Sequence, residues 1–181
     1  TPVKGLERFF KLIKGIDSKK LKGWEILIAG YGSASYIRLL KMLVAQLNLG
    51  YIIKFIGSKI DKDKIKLIDN AKIFILPTFN ENYGIVVAEA MARGIPVITT
   101  KGAPWKEINT HSCGLWVENN SLGLKNGILE LIESTDQQLL DMGNRGRRLI
   151  ATKYMWSNAA KKTIALYKWL INGIEKPDFV L

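Results

Sequence analysis

At 181 residues, 48% of them apolar, the chain is long enough for one well-buried domain or two small ones, and its composition excludes disorder. Lys and Arg exceed Asp and Glu by 27 to 16, a net charge of +11, which calls for an anionic partner: nucleotide phosphate, nucleic acid or an acidic membrane surface. The single cysteine, Cys113, excludes a disulfide framework and fits a reducing, cytoplasmic compartment, and no apolar run approaches the roughly 20 residues of a membrane span. The basic residues are dispersed over Lys19-Lys20, Lys59 to Lys66, Arg145 to Arg148 and Lys161-Lys162. Such a spread favours a solvated surface over a nucleic-acid stripe. No signal-peptide pattern opens the chain, and it begins at Thr1 without an initiator Met, as a piece of a longer protein is expected to.

In chain order, Lys4 to Ile16 reads as a helix with Leu6, Phe9, Phe10 and Ile13 on one face. Trp24 to Ala29 is a short apolar strand ending at Gly30-Tyr31-Gly32-Ser33, and Ala34 to Leu47 is helical. Tyr51 to Ile56 is a strand ending at Gly57, and Asp61 caps a short helix to Asn70. Lys72 to Leu76 is a strand closed by Pro77. Gly84 to Arg93 is a nearly all-apolar helix closed by Gly94, and Ile95 to Thr99 is a strand. A loop with Gly102, Pro104 and Trp105 leads to a last strand, Gly114 to Val117, and helices near 121–133, 136–152 and 157–172 finish the chain. Short apolar strands alternating with helices predict an α/β fold: a Rossmann-like open parallel sheet with helices on both faces and right-handed crossovers. The helical tail is expected to pack on the same domain, so that residues 1–181 form one unit.

In such sheets ligands bind beyond the carboxyl ends of the strands, here at loops 30–33, 57–60, 77–84 and 100–105. The segment from Glu81 to Glu89 stands out, because two carboxylates flank a helix start with seven residues between them. The backbone N–H groups of Tyr83, Gly84 and Ile85 are expected to be free there and to favour an anion, with Gly84 allowing close approach. Glu81 repels phosphate and so faces a neutral part of a ligand, such as sugar hydroxyls. Glu89 either accepts hydrogen bonds from a vicinal diol such as ribose or pairs with Arg93 four residues on; spacing leaves both open.

Other motifs are weaker. The Gly30–Ser35 stretch is like a dinucleotide loop, but Ser35 occupies the third glycine position and Tyr51 to Lys54 offers no acid for a ribose. Asp61-Lys62-Asp63 opens a Lys-rich helix, where caps and dipole pairing account for both acids. His111 and Cys113 find no further His or Cys to complete a metal site, so no metal is expected. No Ser–His–acid arrangement stands beside a nucleophile motif.

Together, Phe74-Ile75-Leu76-Pro77, Glu81-Asn82-Tyr83-Gly84 and Glu89-Ala90-Met91-Ala92-Arg93-Gly94-Ile95-Pro96-Val97-Ile98 resemble the signature of retaining GT-B glycosyltransferases of family 4. Lys4-Gly5-Leu6, Leu27 to Gly32, Asp69-Asn70-Ala71 and Tyr154-Met155-Trp156-Ser157 fit as well. Gly102-Ala103-Pro104-Trp105 with Cys113 to Val117 is similar to bacterial enzymes that build lipopolysaccharide or capsule. The resemblance implies the C-terminal, donor-binding half of a two-domain enzyme that transfers a hexose from a UDP- or GDP-sugar to a glycan or glycolipid acceptor. No further cofactor and no nucleic acid are implied. By position, Glu81 would contact the donor sugar near the reacting carbon, and Glu89 would hold the ribose. Asn82, Tyr83, Gly84 and Ile85 would line the diphosphate, and Lys4 would neutralise the leaving phosphate, the role a metal plays elsewhere. Gly32 would lie close to the nucleotide, and loop 57–60, with Gly57 and Ile60, would face the base.

The family has an Arg and a central strand just before the Lys4 match, where only Thr1, Pro2 and Val3 stand here. The acceptor domain is expected outside this chain, so no turnover is expected from the chain alone. The basic surface also suits a peripheral position on the anionic inner face of the cytoplasmic membrane. Competing readings are a half-domain of a sugar-nucleotide 2-epimerase, a non-catalytic nucleic-acid or regulatory module, and an NAD-binding domain.

Overall fold

Parallel ladders flanked by helices carry the chain in this computed structural model, which describes residues 1–173 and 175–180. A 3-10 turn at Pro2–Lys4 precedes helix α1, Leu6–Lys14. Strand β1 (Ile26–Ala29), helix α2 (Ala34–Gln46), strand β2 (Ile53–Gly57) and helix α3 (Asp61–Asp69) follow. Next come β3 (Phe74–Leu76), α4 (Ile85–Ala92), β4 (Val97–Thr100), the short α5 (Glu107–Thr110) and β5 (Gly114–Val117). Helices α6 (Ser121–Ile132), α7 (Asp136–Lys153) and α8 (Trp156–Asn172) complete the order.

The expected parallel α/β architecture is present, but its ladder is in two pieces. β1 pairs with β2, and β3, β4 and β5 pair in sequence order, all in parallel. No described strand bridges β1 to β3.

β4 shows why both faces need helices. All four of its residues are buried, and successive side chains point to opposite faces. Ile98 joins a core with Phe9, Phe10, Ile13, Leu40, Ile53, Leu124 and Ile128, under α1, α2 and α6. Val97 joins the other core with Val87, Met91, Trp105, Ile108, Cys113 and Leu149, under α4, α5 and α7. α7 sits so close to α4 that a Cβ on Gly143 would lie 1.8 Å from the Gly94 carbonyl oxygen.

Three expectations need correction. Asp61 does not cap the third helix: it is the first residue of α3, Ile60 is the N-cap, and among the described residues no side-chain bond closes that end. The first helix starts at Leu6 and not at Lys4, because Gly5 adopts φ +69° and breaks the chain direction; Lys4 is left in the preceding turn, free of the helical ladder. The helical tail does not pack throughout. α7 buries Leu139, Leu149 and Ile150, whereas α8 has no buried residue, and Ile164, Tyr167 and Leu170 stand exposed along it. None of the described helices is long and apolar enough to cross a membrane.

Candidate active site at the carboxyl ends of the strands

Strand β3 ends at Pro77, and the next residues are fixed from several sides. Thr78, Thr99 and Thr100 are fully buried polar residues, and each finds a partner. The Thr99 hydroxyl donates to the Leu76 carbonyl at 3.0 Å and the Thr100 hydroxyl to the Thr78 carbonyl at 2.5 Å. The Thr78 hydroxyl lies 3.0 Å from the Val3 carbonyl and 2.8 Å from that of Asn80. The amide of Phe79 donates to Val3 and that of Glu81 to Gly102, each at 2.8 Å. Buried hydroxyls with partners satisfy the backbone of a loop that has no ladder of its own. Gly5 allows this close approach: a Cβ there would lie 2.2 Å from the Pro77 oxygen.

The Pro2–Lys4 turn and the loop after Pro77 bring Lys4 and Glu81 together. The Lys4 ammonium lies 2.5 Å from Glu81 Oε2, and the Glu81 side chain is only 17% exposed. Gly84 then adopts φ +74° as the N-cap of α4, and it is itself buried. Among the described residues, no bond is donated by the amides of Tyr83, Gly84 or Ile85. Behind them the Trp105 indole N–H donates to the Tyr83 carbonyl at 2.5 Å. Tyr83, Trp105 and Tyr154 stack at ring distances of 5.2 and 6.5 Å, and burial pushes the Tyr83 and Tyr154 phenols above the ordinary range. The Tyr154 hydroxyl donates to Glu107. The helix start is therefore a cluster of amides that donate to no described protein acceptor, above three packed aromatic rings, a geometry in which the helix dipole favours an anion.

Glu89 does not pair with Arg93. Arg93 makes a two-point bond to Asp69, at 2.5 Å on each oxygen, and this bond holds the Asp69 carboxyl below its usual range. Glu89 Oε1 instead accepts from Lys64 on α3 at 2.6 Å, while its Oε2 is buried with no partner among the described residues. The bland reading of Glu89 as half of a helix-surface pair with Arg93 is thus excluded. An unpartnered buried carboxylate oxygen is costly unless a ligand completes it.

The remaining expected residues lie at the other ladder. Gly57 ends β2 at φ +70°, and its carbonyl accepts from the Gly30 amide at 3.0 Å, which ties loops 30–33 and 57–60 together. Ile60, the N-cap of α3, is 71% exposed, and Gly32 follows Tyr31, 91% exposed. Asn82 is exposed too. The structure brings Lys4, Glu81 and Gly84 into one cluster, and Lys64 links Glu89 to the helix that loop 57–60 opens. No bond joins Gly32 or Ile60 to the Glu81 cluster. No group of three His, Cys, Asp or Glu side chains among the described residues gathers around a point suited to a metal ion.

Comparison with known proteins decides the family. The profile of the family described as glycosyl transferases group 1 matches residues 1–149. The chain belongs to that family. An uncharacterized glycosyltransferase of Methanocaldococcus jannaschii is 31% identical over 152 residues, which is 80% of this chain and 37% of that protein. This chain therefore spans little more than a third of the length of that relative. The C-terminal domain of a glycosyl transferase group 1 family protein, LpcC, from Francisella tularensis superposes with a TM-score of 0.71 at 25% identity, covering 86% of this chain and 82% of that one. Anabaena HepE, solved in complex with UDP, superposes with a TM-score of 0.78 at 17% identity, over 93% of this chain and 46% of that one. The fold is the C-terminal half of a GT-B architecture.

Sequence reasoning missed three parts of this site. Lys64 was hidden in a Lys-rich helix, where nothing singles out one lysine. Trp105 was placed in a loop, with no sign that its N–H supports the Tyr83 carbonyl. Arg8 was passed over: it lies in the first turn of α1, and nothing in the sequence ties it to Pro77 or Asn119.

Proposed function

We propose that this chain is the donor-binding half of a retaining, metal-independent glycosyltransferase. It receives a UDP- or GDP-hexose, and a further, N-terminal domain supplies the acceptor, a cell-surface polysaccharide or lipopolysaccharide intermediate. The observation that carries this reading is the start of α4: three amides without acceptors, flanked by one acid on a lysine and another with a buried, unpartnered oxygen. Membership of the glycosyl transferases group 1 family supports it, as does the UDP held by the structurally similar HepE.

In this reading the diphosphate sits against the Tyr83, Gly84 and Ile85 amides, where the helix dipole favours negative charge. Glu89 Oε2 accepts a ribose hydroxyl, loop 57–60 with Gly57 and Ile60 meets the base, and Gly32 lies against the nucleotide. Glu81 faces the hexose, and Lys4 draws the charge that develops on the departing phosphate. The anomeric carbon–oxygen bond to the diphosphate breaks, and the acceptor oxygen bonds to the same face of the sugar. The acceptor proton passes to the leaving phosphate oxygen. Without the acceptor domain the chain alone binds the donor and does not transfer it.

Calorimetry with UDP, GDP, ADP and CDP tests the reading. We expect UDP or GDP to bind, and Glu89→Ala to weaken that binding by roughly 1–3 kcal/mol, the worth of a buried hydrogen bond to a charged group. A protein that binds none of them, or a Glu89→Ala protein that binds as the wild type does, contradicts it.

A further inference from the structure

Arg8 sits on α1, four residues beyond Lys4, and its side chain reaches into the loop that carries Glu81. Nη2 donates to the Pro77 carbonyl at 2.9 Å. Nη1 donates to the main-chain oxygen of Asn119 at 3.1 Å and to its Oδ1 at 3.0 Å. The guanidinium lies 4.1 Å from the centre of the Phe79 ring. Asn119 in turn donates Nδ2 to the Phe79 carbonyl at 2.8 Å. The residues on both sides of Thr78 are thus held, one by Arg8 directly and the other by the face of its guanidinium and by its partner Asn119.

This cation has no counter-ion. Its acceptors are two carbonyls and an amide oxygen, and among the described residues no carboxylate pairs with it. Burial pushes its pKa down from the ordinary arginine value. Placing a guanidinium in a part-buried setting without an anion is unfavourable, and an apolar side chain would fill the space without that cost. What only the planar fork does is fix oxygens of two different loops at once. Gly5, the N-cap of α1, packs so close to this loop that a Cβ there would lie 2.2 Å from the Pro77 oxygen. The segment so fixed runs directly into Glu81, which carries no other link to α1.

We propose that Arg8 is a positioning residue for the sugar-facing carboxylate: it holds Pro77 to Asn80 so that Glu81 meets the hexose of a nucleotide-sugar donor. Arg8 itself touches no part of the donor. The inference rests on the reading of Glu81 as the acid that faces the donor sugar.

The test is calorimetry of the chain with UDP, GDP, UDP-glucose, UDP-galactose and GDP-mannose, on wild type, Arg8→Met, Glu81→Ala and the double variant. Wild type is expected to bind one sugar nucleotide more tightly than the bare diphosphate. Arg8→Met keeps diphosphate affinity within about twofold. It loses the added affinity from the sugar, roughly tenfold, as Glu81→Ala does. The double variant loses no more than Glu81→Ala, because Arg8 acts through that carboxylate. Arg8→Lys, with the charge but not the fork, behaves like Arg8→Met. Asn119→Ala removes the side chain that links Arg8 to the Phe79 carbonyl and shows the same selective loss, so it serves where Arg8→Met does not fold. Equal losses for diphosphate and sugar nucleotide, additive losses in the double variant, or full rescue by lysine overturn the inference. A wild type that binds a diphosphate but gains nothing from any of the sugars overturns it alone; a wild type that binds no diphosphate overturns the donor-binding reading as well.

Discussion

The carboxyl ends of the two ladders are built differently. Beyond β3 and β4 the loops are closely packed up to the start of α4: Thr78, Thr99 and Thr100 are buried, Gly5 and Gly102 each approach a carbonyl that a Cβ would strike, and Trp105 supports Tyr83. Beyond β1 and β2 the loops are open: Tyr31 and Ile60 are exposed, and a Cβ on Gly30 or Gly57 would meet nothing within 4 Å. The proposed sugar and diphosphate side is therefore set before ligand arrives, and the proposed base side is left to adapt. This division suits chemistry in which the reacting carbon needs fixed geometry and the base serves for recognition.

Substitution of the close-approach glycines tests the contrast most severely. Gly5→Ala places a methyl 2.2 Å from the Pro77 oxygen at φ +69°. We expect a loss of about 4 kcal/mol or more of stability, read from urea unfolding, since backbone must move on both sides. On the open side Gly57→Ala meets no atom and carries only the strain of φ +70°, about 1–2 kcal/mol. Gly32→Ala, with its nearest neighbours at 3.8 and 3.9 Å, changes stability by less than about 0.5 kcal/mol. Equal effects at Gly5 and Gly32 would erase the distinction between the two regions.

The smallest expected effect concerns the link between α3 and α4. Arg93 lowers the pKa of Asp69 through its hydrogen bonds, so the folded state binds this proton less readily than the unfolded chain. The stabilisation is complete above the ordinary carboxylate value and is lost as pH falls through the lower folded value. Both side chains are solvent-accessible, so the gain is slight. Asp69→Asn should lower the melting temperature a little at pH 7, and the difference should shrink as the pH falls below the ordinary carboxylate range. A difference that persists in acid points to packing and not to charge.

The alternation of strands and helices was legible because the strands are short, apolar and bounded by Gly or Pro, and because α4 is apolar but for Glu89. Glu81 and Glu89 were legible as carboxylates where a buried helix begins. Their partners were not. Lys4 and Glu81 are 77 residues apart and Lys64 and Glu89 are 25 apart, and periodicity carries no information on such contacts. The i,i+4 rule pointed Glu89 to Arg93, but tertiary packing gave each a partner on α3 instead. α5 escaped notice because four residues are too few to show a helical period. The break between β1 and β3 is invisible in composition, since each strand reads as apolar whether one or both of its edges are paired.

Amide chemical shifts of the labelled chain, titrated with UDP and with GDP, test the central claim most directly. The account predicts that one of the two moves the Tyr83, Gly84 and Ile85 amides most, with smaller shifts at Gly32 and Gly57. Shifts concentrated away from the start of α4, or no shift with either nucleotide, would contradict it.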